Sequence, residues 1–498
     1  MVTLDDYGAQ GQGFMGNEQE GVGQLLKAMQ AGQITGRETA DQLLTMEPLK
    51  VESLERTIRL LEFRLKDVKL WNSIPKLTAY NTVEEFLQLA SYGTQRGGFY
   101  REGELSAVED SKYIRKAEHV KYMQVTGEVT LQAQMVRSFV DAMRKEVENK
   151  AMWITRLANT SMTKTDADII PEEFNGIYKQ HASIGTGTGF LYPNFEAYYN
   201  SGTVIDMRGR QLRQEQVEDG AIAIDSNFGN IDSLYATTSV ISALAKDYFG
   251  DQRILMNGSA LEGTIGVRPK VIATTIGDVN LMTDKMMKTD PAKTTATAAT
   301  TTLAPAAPAS VTGTLTADTT AKFTATPYTG GASELGNVYY AVSAINRFGE
   351  SALTAYGTAI TLAAGQRPDL TITAGTGPNP IDGYVIYRTK ITAAGSPAGL
   401  DFYPLFRVSV ANVTAGFNGA APGVVGDRGY FLPGLEQAFA TEMVEDVLSF
   451  KQLAPLSKLD LGVQSMSRRF ISFLFGTPQL YTPKKVVRYI NVSATTTA

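Results

Sequence analysis

The 498-residue chain contains no cysteine, which excludes disulfide scaffolds, thiol chemistry and thiolate metal sites together. Histidine is nearly as scarce. His119 and His181 are the two present, a thin supply for zinc binding or histidine acid–base catalysis. Trp71 and Trp153 are the only tryptophans. No apolar stretch approaches the roughly 18 residues of a membrane-spanning helix. The opening MVTLDDYGAQGQG lacks the basic segment and apolar core of a secretory signal. A net charge of −5 is mild, without the basic stripe of a dedicated nucleic-acid binder. What is present, 43% apolar and 19% charged residues, suffices for a sizeable core. The length suggests about three domains.

The first fifty residues stand apart. Glycines 8, 11, 13, 16, 21 and 23 make their start costly to order alone. Seven acids against three bases give residues 1–50 a charge of −4, the opposite of a DNA-gripping tail. This segment is expected to be an N-terminal arm held by another chain or by the body. From residue 51, Leu54, Ile58, Leu61, Leu65 and Val68 recur at helical spacing and predict an amphipathic helix. It should end before Pro75.

Between 93 and 130 the chain is first glycine-rich and charged, then alternating. Tyr113, Ile114, Val120, Tyr122, Val125, Val129 and Leu131 predict two long strands and a charged hairpin reaching from the body. A long helix is predicted over 132–158, with Val136, Val140, Met143, Val147, Ala151, Ile154 and Ala158 as one stripe. Asp141–Lys145 and Glu146–Lys150 should pair on its outer face, and Val147→Asp should abolish folding by burying an unpaired charge. Residues 208–290 read as a compact α/β unit, with Thr237 or Thr238 capping a helix whose Val240, Ile241 and Leu244 face inward.

The composition breaks near residue 291. Residues 291–330 hold fourteen threonines and only three charges, the signature of a linker followed by small strands. Across 291–425 there are 13 charged residues in 135, against 84 in the other 363. That drop in charge density marks an inserted module, and helical character is expected to resume near Gly429. Further on, Phe470, Ile471, Phe473, Leu474 and Phe475 form a run apolar on both faces, expected mid-core.

Within the insert, Tyr339-Tyr340-Ala-Val-Ser-Ala-Ile-Asn346-Arg-Phe-Gly349-Glu350-Ser351 with Gly383-Tyr384-Val385-Ile386-Tyr387-Arg388 resembles fibronectin type III and immunoglobulin-like sandwiches. Tyr384 and Ile386 should point to one face, Val385 and Tyr387 to the other. The surrounding chain resembles the major capsid proteins of tailed bacteriophages, which have the Johnson fold. The residues that carry this likeness include Val51-Glu52-Ser53-Leu54-Glu55, Trp71 with Ile74-Pro75-Lys76, and Thr82-Val83-Glu84-Glu85-Phe86 with Tyr92-Gly93. Glu102-Gly103, Pro171-Glu172-Glu173-Phe174-Asn175-Gly176 and Tyr481-Thr-Pro483-Lys484-Lys485-Val-Val-Arg488-Tyr-Ile490-Asn491-Val492 complete it.

The resemblance implies an α+β Johnson fold with a spine helix, an extended loop, peripheral and axial domains, and an inserted all-β sandwich. The expected divisions are an N-terminal arm (1–50) and a peripheral domain (51–170) with extended loop 93–125 and spine helix 132–158. An axial domain follows (171–290, returning at 426–460), interrupted by the sandwich (291–425), and 461–498 supplies C-terminal strands of the peripheral domain. The implied function is a non-enzymatic shell subunit forming hexamers and pentamers of an icosahedral head around double-stranded DNA, held non-specifically. Its place would be the virion, after assembly in the host cytoplasm. A scaffolding protein, portal and decoration proteins are the implied partners, without a membrane. The insert should fold independently, so that joining 290 to 426 preserves assembly. The rival expectation is a surface adhesin or carbohydrate-binding protein using the sandwich.

Chemistry finds little purchase in these residues. Gly185-Thr186-Gly187-Thr188-Gly189 lacks the lysine, glycine spacing and following helix of phosphate loops. Asp166, Asp168, Glu172 and Glu173 lack the glycine of a calcium loop. Capsid proteins of the implied fold include some that cross-link by lysine–asparagine isopeptide bonds; Lys112, Lys116 or Lys121 with Asn491 would be the pair here. No catalytic, cofactor-binding or metal residue is expected.

Overall fold

A computed structural model describes residues 65–93, 99–105, 108, 110–135, 141–182, 203–247, 269–328, 331–463 and 466–494. The arm (1–50), the helix positions Leu54, Ile58 and Leu61, the loop charges Arg96 and Glu109, the stripe residues Val136 and Val140, and the 185–189 glycine run lie outside these residues.

The first described helix, α1 (Lys69–Ser73), gives way to extended dihedrals at Ile74, as the following Pro75 demands. Strands β1 (Lys76–Thr78), β2 (Val83–Ser91), β3 (Lys112–His119) and β4 (Lys121–Thr130) follow. Both strands expected between 93 and 130 exist, yet they are not partners. β3 pairs antiparallel with β2, from Val83 opposite His119 to Ser91 opposite Lys112. Only Val120 separates β3 from β4, too little for a hairpin turn. It is buried, and its N–H donates to the Thr82 carbonyl at 2.9 Å, so the chain passes directly into another sheet. The antiparallel ribbon therefore pairs Val83–Ser91 with Lys112–His119, in place of two partnered strands within 93–130.

Helices α2 (Leu131–Met135), α3 (Ala142–Lys164) and α4 (Ile177–Ala182) come next. Asp141 is the N-cap of α3, accepting from the N–H groups of Met143 (2.9 Å) and Arg144 (3.4 Å), a role that suits a short carboxylate. Lys145 consequently pairs with Glu148 at 3.0 Å rather than with Asp141, while the expected Glu146–Lys150 pair forms at 3.0 Å. The stripe holds only in the C-terminal half. Ile154 and Ala158 are buried with Met162, whereas Met143, Val147 and Ala151 are half-buried.

The α/β unit contains β5 (Thr203–Asp206), α5 (Gln214–Asp225), β6 (Ser233–Ala236), α6 (Thr238–Asp247), β7 (Val271–Ala273) and β8 (Asp278–Thr283). Val240, Ile241 and Leu244 face its core, as the spacing predicts.

The low-charge region forms β9 (Ser310–Ala317), β10 (Gly336–Val338), β11 (Tyr340–Asn346), β12 (Gly349–Glu350), β13 (Thr354–Ala355), β14 (Ile360–Leu362), β15 (Gln366–Thr373), β16 (Gly383–Arg388) and β17 (Tyr403–Ser409). Helix α7 (Val410–Ala415) and β18 (Val424–Gly426) close it. One sheet has the order β18-β15-β9; another runs β12-β11-β16-β17 with β13 also on β11. Asn346 makes the turn between β11 and β12, its Oδ1 accepting from the N–H groups of Phe348 and Gly349. Tyr384 and Ile386 enter one core cluster and Val385 and Tyr387 another, the two-faced alternation expected of β16.

After Gly429 come strands, not helix: β19 (Glu436–Thr441), β20 (Leu448–Asp460), β21 (Ser467–Leu480) and β22 (Val486–Val492). Burial of Ala438, Phe439 and Ala440 between neighbouring strands overrides their local preference. β19 and β22 join the six-stranded sheet β5-β22-β19-β6-β8-β7, while β20 and β21 join the four-stranded sheet β1-β20-β21-β4. The expected divisions at 426–460 and 461–498 are thus each shared between two sheets. α3 and α4 pack on β21 over a core of Ile154, Met162, Phe174, Phe450 and Leu474. Tyr235 and Phe439, stacked at 5.1 Å, link that core to the six-stranded sheet.

Candidate assembly surfaces and buried polar sites

The β2–β3 ribbon has two unlike faces, because successive side chains alternate along a strand. On one, Phe86 meets Tyr481 edge-on at 4.9 Å and Gln88 donates to the Tyr481 carbonyl. On the other, Leu87 is 70% exposed, Leu89 lies opposite Tyr113, and Tyr113 is 66% exposed. Arg115, opposite Leu87, pairs with Glu85. Toward the tip, Tyr92, Phe99, Leu105 and Val108 are also exposed. Exposed apolar side chains gathered as Leu87, Leu89 and Tyr113 are on one strand pair are a feature of interaction surfaces.

A second surface lies on β20 and β21. Phe470 and Leu474 are buried, but Ile471, Phe473 and Phe475 on the alternate face are only half-buried. The run expected mid-core is central within its sheet, yet α3 and α4 cover it on the side of Leu474. Leu459, Leu461, Val463 and Met466 extend the exposed apolar surface at the strand ends.

The residues weighed for chemistry are occupied structurally. Lys179 bridges Asp166 and Asp168, and Glu172 pairs with Arg347 at 3.2 Å. Burial raises the Glu173 carboxyl above its usual range. No group of three or more metal-type side chains occurs among the described residues. His181 lies on α4. Its Nε2 hydrogen-bonds the Val486 carbonyl at 2.9 Å, and burial lowers its pKa to about 4. His119 ends β3 and is exposed.

Asn491 is buried, with φ 55°. Its amide donates to Asp206 and to the Tyr430 carbonyl, both at 2.7 Å, and its Oδ1 accepts from the Leu432 N–H at 2.8 Å. Lys112 and Lys116 sit on the ribbon, and Lys121 donates to the Pro171 carbonyl at 2.5 Å. The Asn491 amide thus has both its N–H donors and its oxygen engaged within the chain, whereas the implied cross-link would join neighbouring copies. On the ribbon, burial raises the Glu118 carboxyl to about 6 despite a hydrogen bond from Asn175 at 2.9 Å.

No family model matches the chain. The major capsid protein of Staphylococcus phage K is 22% identical over 275 residues, covering 52% of this chain and 57% of that protein. The chain thus matches little more than half the length of that relative. A capsid-protein relative from Enterococcus phage phiEF24C is 22% identical over 450 residues, 89% of this chain and 90% of its own. The chain is similar to phage major capsid proteins. Among solved structures, the capsid of a native GTA particle matches with a TM-score of 0.46 at 8% identity, covering 92% of this chain and 100% of that one. The SrpI encapsulin of Synechococcus elongatus PCC 7942 gives a TM-score of 0.39 at 7% identity, covering 93% and 98%.

The buried charges are what sequence reasoning missed. Arg388 pairs with Asp427 at 2.6 Å, Arg367 with Asp369 at 2.6 Å and Asp318 at 2.8 Å, and Arg208 with Glu334. The available signal was the scarcity of charge between 291 and 425: an ion retained in so apolar a segment needs a partner.

Proposed function

We propose that the chain is a structural shell subunit with the Johnson fold, assembling with its own copies into hexamers and pentamers of an icosahedral head that encloses double-stranded DNA. The exposed Leu87, Leu89 and Tyr113 face of the ribbon carries this reading, because it presents apolar surface that a neighbouring copy would cover. The half-buried side of β21 supports it from a second element. Obligate interfaces of shell type bury roughly 2,000–5,000 Å² or more, which calls for extended elements such as the ribbon and the long sheet. We read the role as non-enzymatic, with Asp166, Asp168 and Glu172 engaged in ion pairs and His181 buried in the core.

In this reading β1, β20, β21 and β4 with α3 form the peripheral domain, and the six-stranded sheet with α5 and α6 forms the axial domain. The 291–425 region is a fibronectin-like sandwich displayed outside the shell. Scaffolding, portal and decoration proteins are the expected partners, and the virion, assembled in the host cytoplasm, is the expected location. Negative-stain microscopy of the purified recombinant protein tests the proposal, with closed particles or capsomers as the expected result. Monodisperse monomers at every salt and protein concentration would overturn it.

A further inference from the structure

A cleft of about 110 Å³ lies where the low-charge region meets the body, between Thr163 and Lys164 of α3, Leu405 to Arg407 of β17, and Arg488 of β22. Exposure grades along it. Asp290, Arg407 and Lys164 at the mouth are partly open, whereas Arg488 at the other end is 1% exposed.

Arg488 is unusual among the buried arginines. Its Nε and Nη2 both donate to Gln437 Oε1, at 3.2 and 2.6 Å, and its guanidinium lies over the Tyr178 ring, 4.1 Å from the centroid. Its Nη1 is buried without a hydrogen-bond partner. Arg388 and Arg367 each hold a carboxylate; no carboxylate pairs with Arg488 among the described residues. A desolvated cation without a counter-ion is costly.

The carboxylates that line the cleft are spoken for. Asp290 pairs with Lys164 at 2.8 Å and stands 4.0 Å from Arg407. Glu350 pairs with Lys293 at 2.6 Å and accepts from the Tyr387 hydroxyl at 2.5 Å. Three lining cations (Lys164, Arg407, Arg488) face two lining carboxylates, and the surplus charge sits on the most buried of the three. Met287, Leu405 and Phe406 make the adjoining wall apolar, which strengthens any ionic contact formed beside it.

We propose that this cleft binds a small oxyanion of the phosphate or sulfate class beside the guanidinium of Arg488, with Arg407 and Lys164 supplying charge at the mouth. Arginine suits this task because its planar donor fork matches oxyanion geometry. The site is independent of the shell proposal, since nothing in assembly calls for a buried anion at this position.

Isothermal titration with inorganic phosphate at constant ionic strength tests it on the full chain. The wild type should show saturable one-site binding. Arg407→Gln, at the open mouth, should weaken it about tenfold, the effect of one charge-assisted contact. Asp290→Asn should tighten it by removing a repelling carboxylate. Arg488→Met should abolish it; if that variant does not fold, the two mouth variants decide. No saturable heat in the wild type, or equal affinity across wild type, Arg407→Gln and Asp290→Asn, would overturn the proposal and leave the cleft to water.

Discussion

Arg388 on β16 and Asp427, beyond β18, form an ion pair at 2.6 Å with side chains only 2% and 1% exposed. The Tyr340 hydroxyl donates to the same Asp427 oxygen at 2.8 Å, and Arg388 Nη2 donates to the Phe431 carbonyl at 3.1 Å. The pair therefore ties the sheet of the low-charge region to the chain segment leading back to the body. Arg388→Met strands a buried carboxylate and should cost about 3–5 kcal/mol. Adding Asp427→Asn should recover much of that loss, since the cost lies in the unpaired charge. Urea midpoints of the two variants check this, and a double variant no more stable than Arg388→Met would refute it.

Position along α3 separates two effects of one substitution. Ile154 is fully buried against the Phe450 and Leu474 core, so Ile154→Asp should prevent folding. Val147 is half-buried, contrary to the uniform stripe read from periodicity, and Val147→Asp should leave a folded chain that loses less than about 1.5 kcal/mol. Circular dichroism with thermal melting distinguishes the two; equal collapse of both variants would mean that the outer half of α3 is covered as deeply as the inner half.

On the ribbon, Leu87→Lys and Tyr113→Glu change exposed side chains and should move stability by no more than about 0.5 kcal/mol. Particle formation should nevertheless fail, because the apolar face would meet its neighbour as charge. Sedimentation of variant and wild type at matched concentration gives the readout. Normal particles from the double variant would remove the ribbon from the interface.

Much of this architecture was legible because its signals are local. Alternation in β11 and β16, the proline stop after α1 and the inward face of α6 each depend on a few neighbouring residues. Pairing was not legible. That β3 turns back to β2, while β4 runs beside β21 more than three hundred residues away, depends on which distant edge is vacant. The strands after Gly429 were hidden for a related reason: Ala438 to Ala440 extend only because β6 and β22 flank them. Arg488 was invisible as a site, since its isolation follows from what does not stand beside it.

His181 gives the fold a pH dependence of fixed sign. Its folded pKa of about 4 lies below the ordinary value of 6.5, so the unfolded chain binds the proton more readily. The associated stability is fully present above pH 6.5 and falls as pH drops toward 4, by up to about 3 kcal/mol. Glu118, raised to about 6, acts oppositely, its contribution being lost as pH rises from 4.5 through 6. Comparing urea midpoints at pH 4.5 and 7.5 in wild type and His181→Gln isolates the histidine. The variant should lose distinctly less on acidification, and an identical loss would assign the acid sensitivity elsewhere.

The low-charge region is less separable than its composition suggests. Ile490 of β22 belongs to the same buried cluster as Tyr340, Ile386 and Phe406, and Ile169 and Ile170 pack against the opposite face with Val385 and Tyr387. Joining residue 290 to 426 would expose all three isoleucines, each worth about 1.5–3 kcal/mol when buried. It would also leave Arg208 without Glu334 and Asp427 without Arg388. The deletion variant should therefore melt well below the intact chain and aggregate on purification. Combining it with Ile169→Ser, Ile170→Thr and Asp427→Asn should restore solubility by making the uncovered surface polar and removing the orphaned charge. A deletion variant that melted with the intact chain and still assembled would show that the strands from 310 to 426 contribute nothing to the stability of the body beneath them.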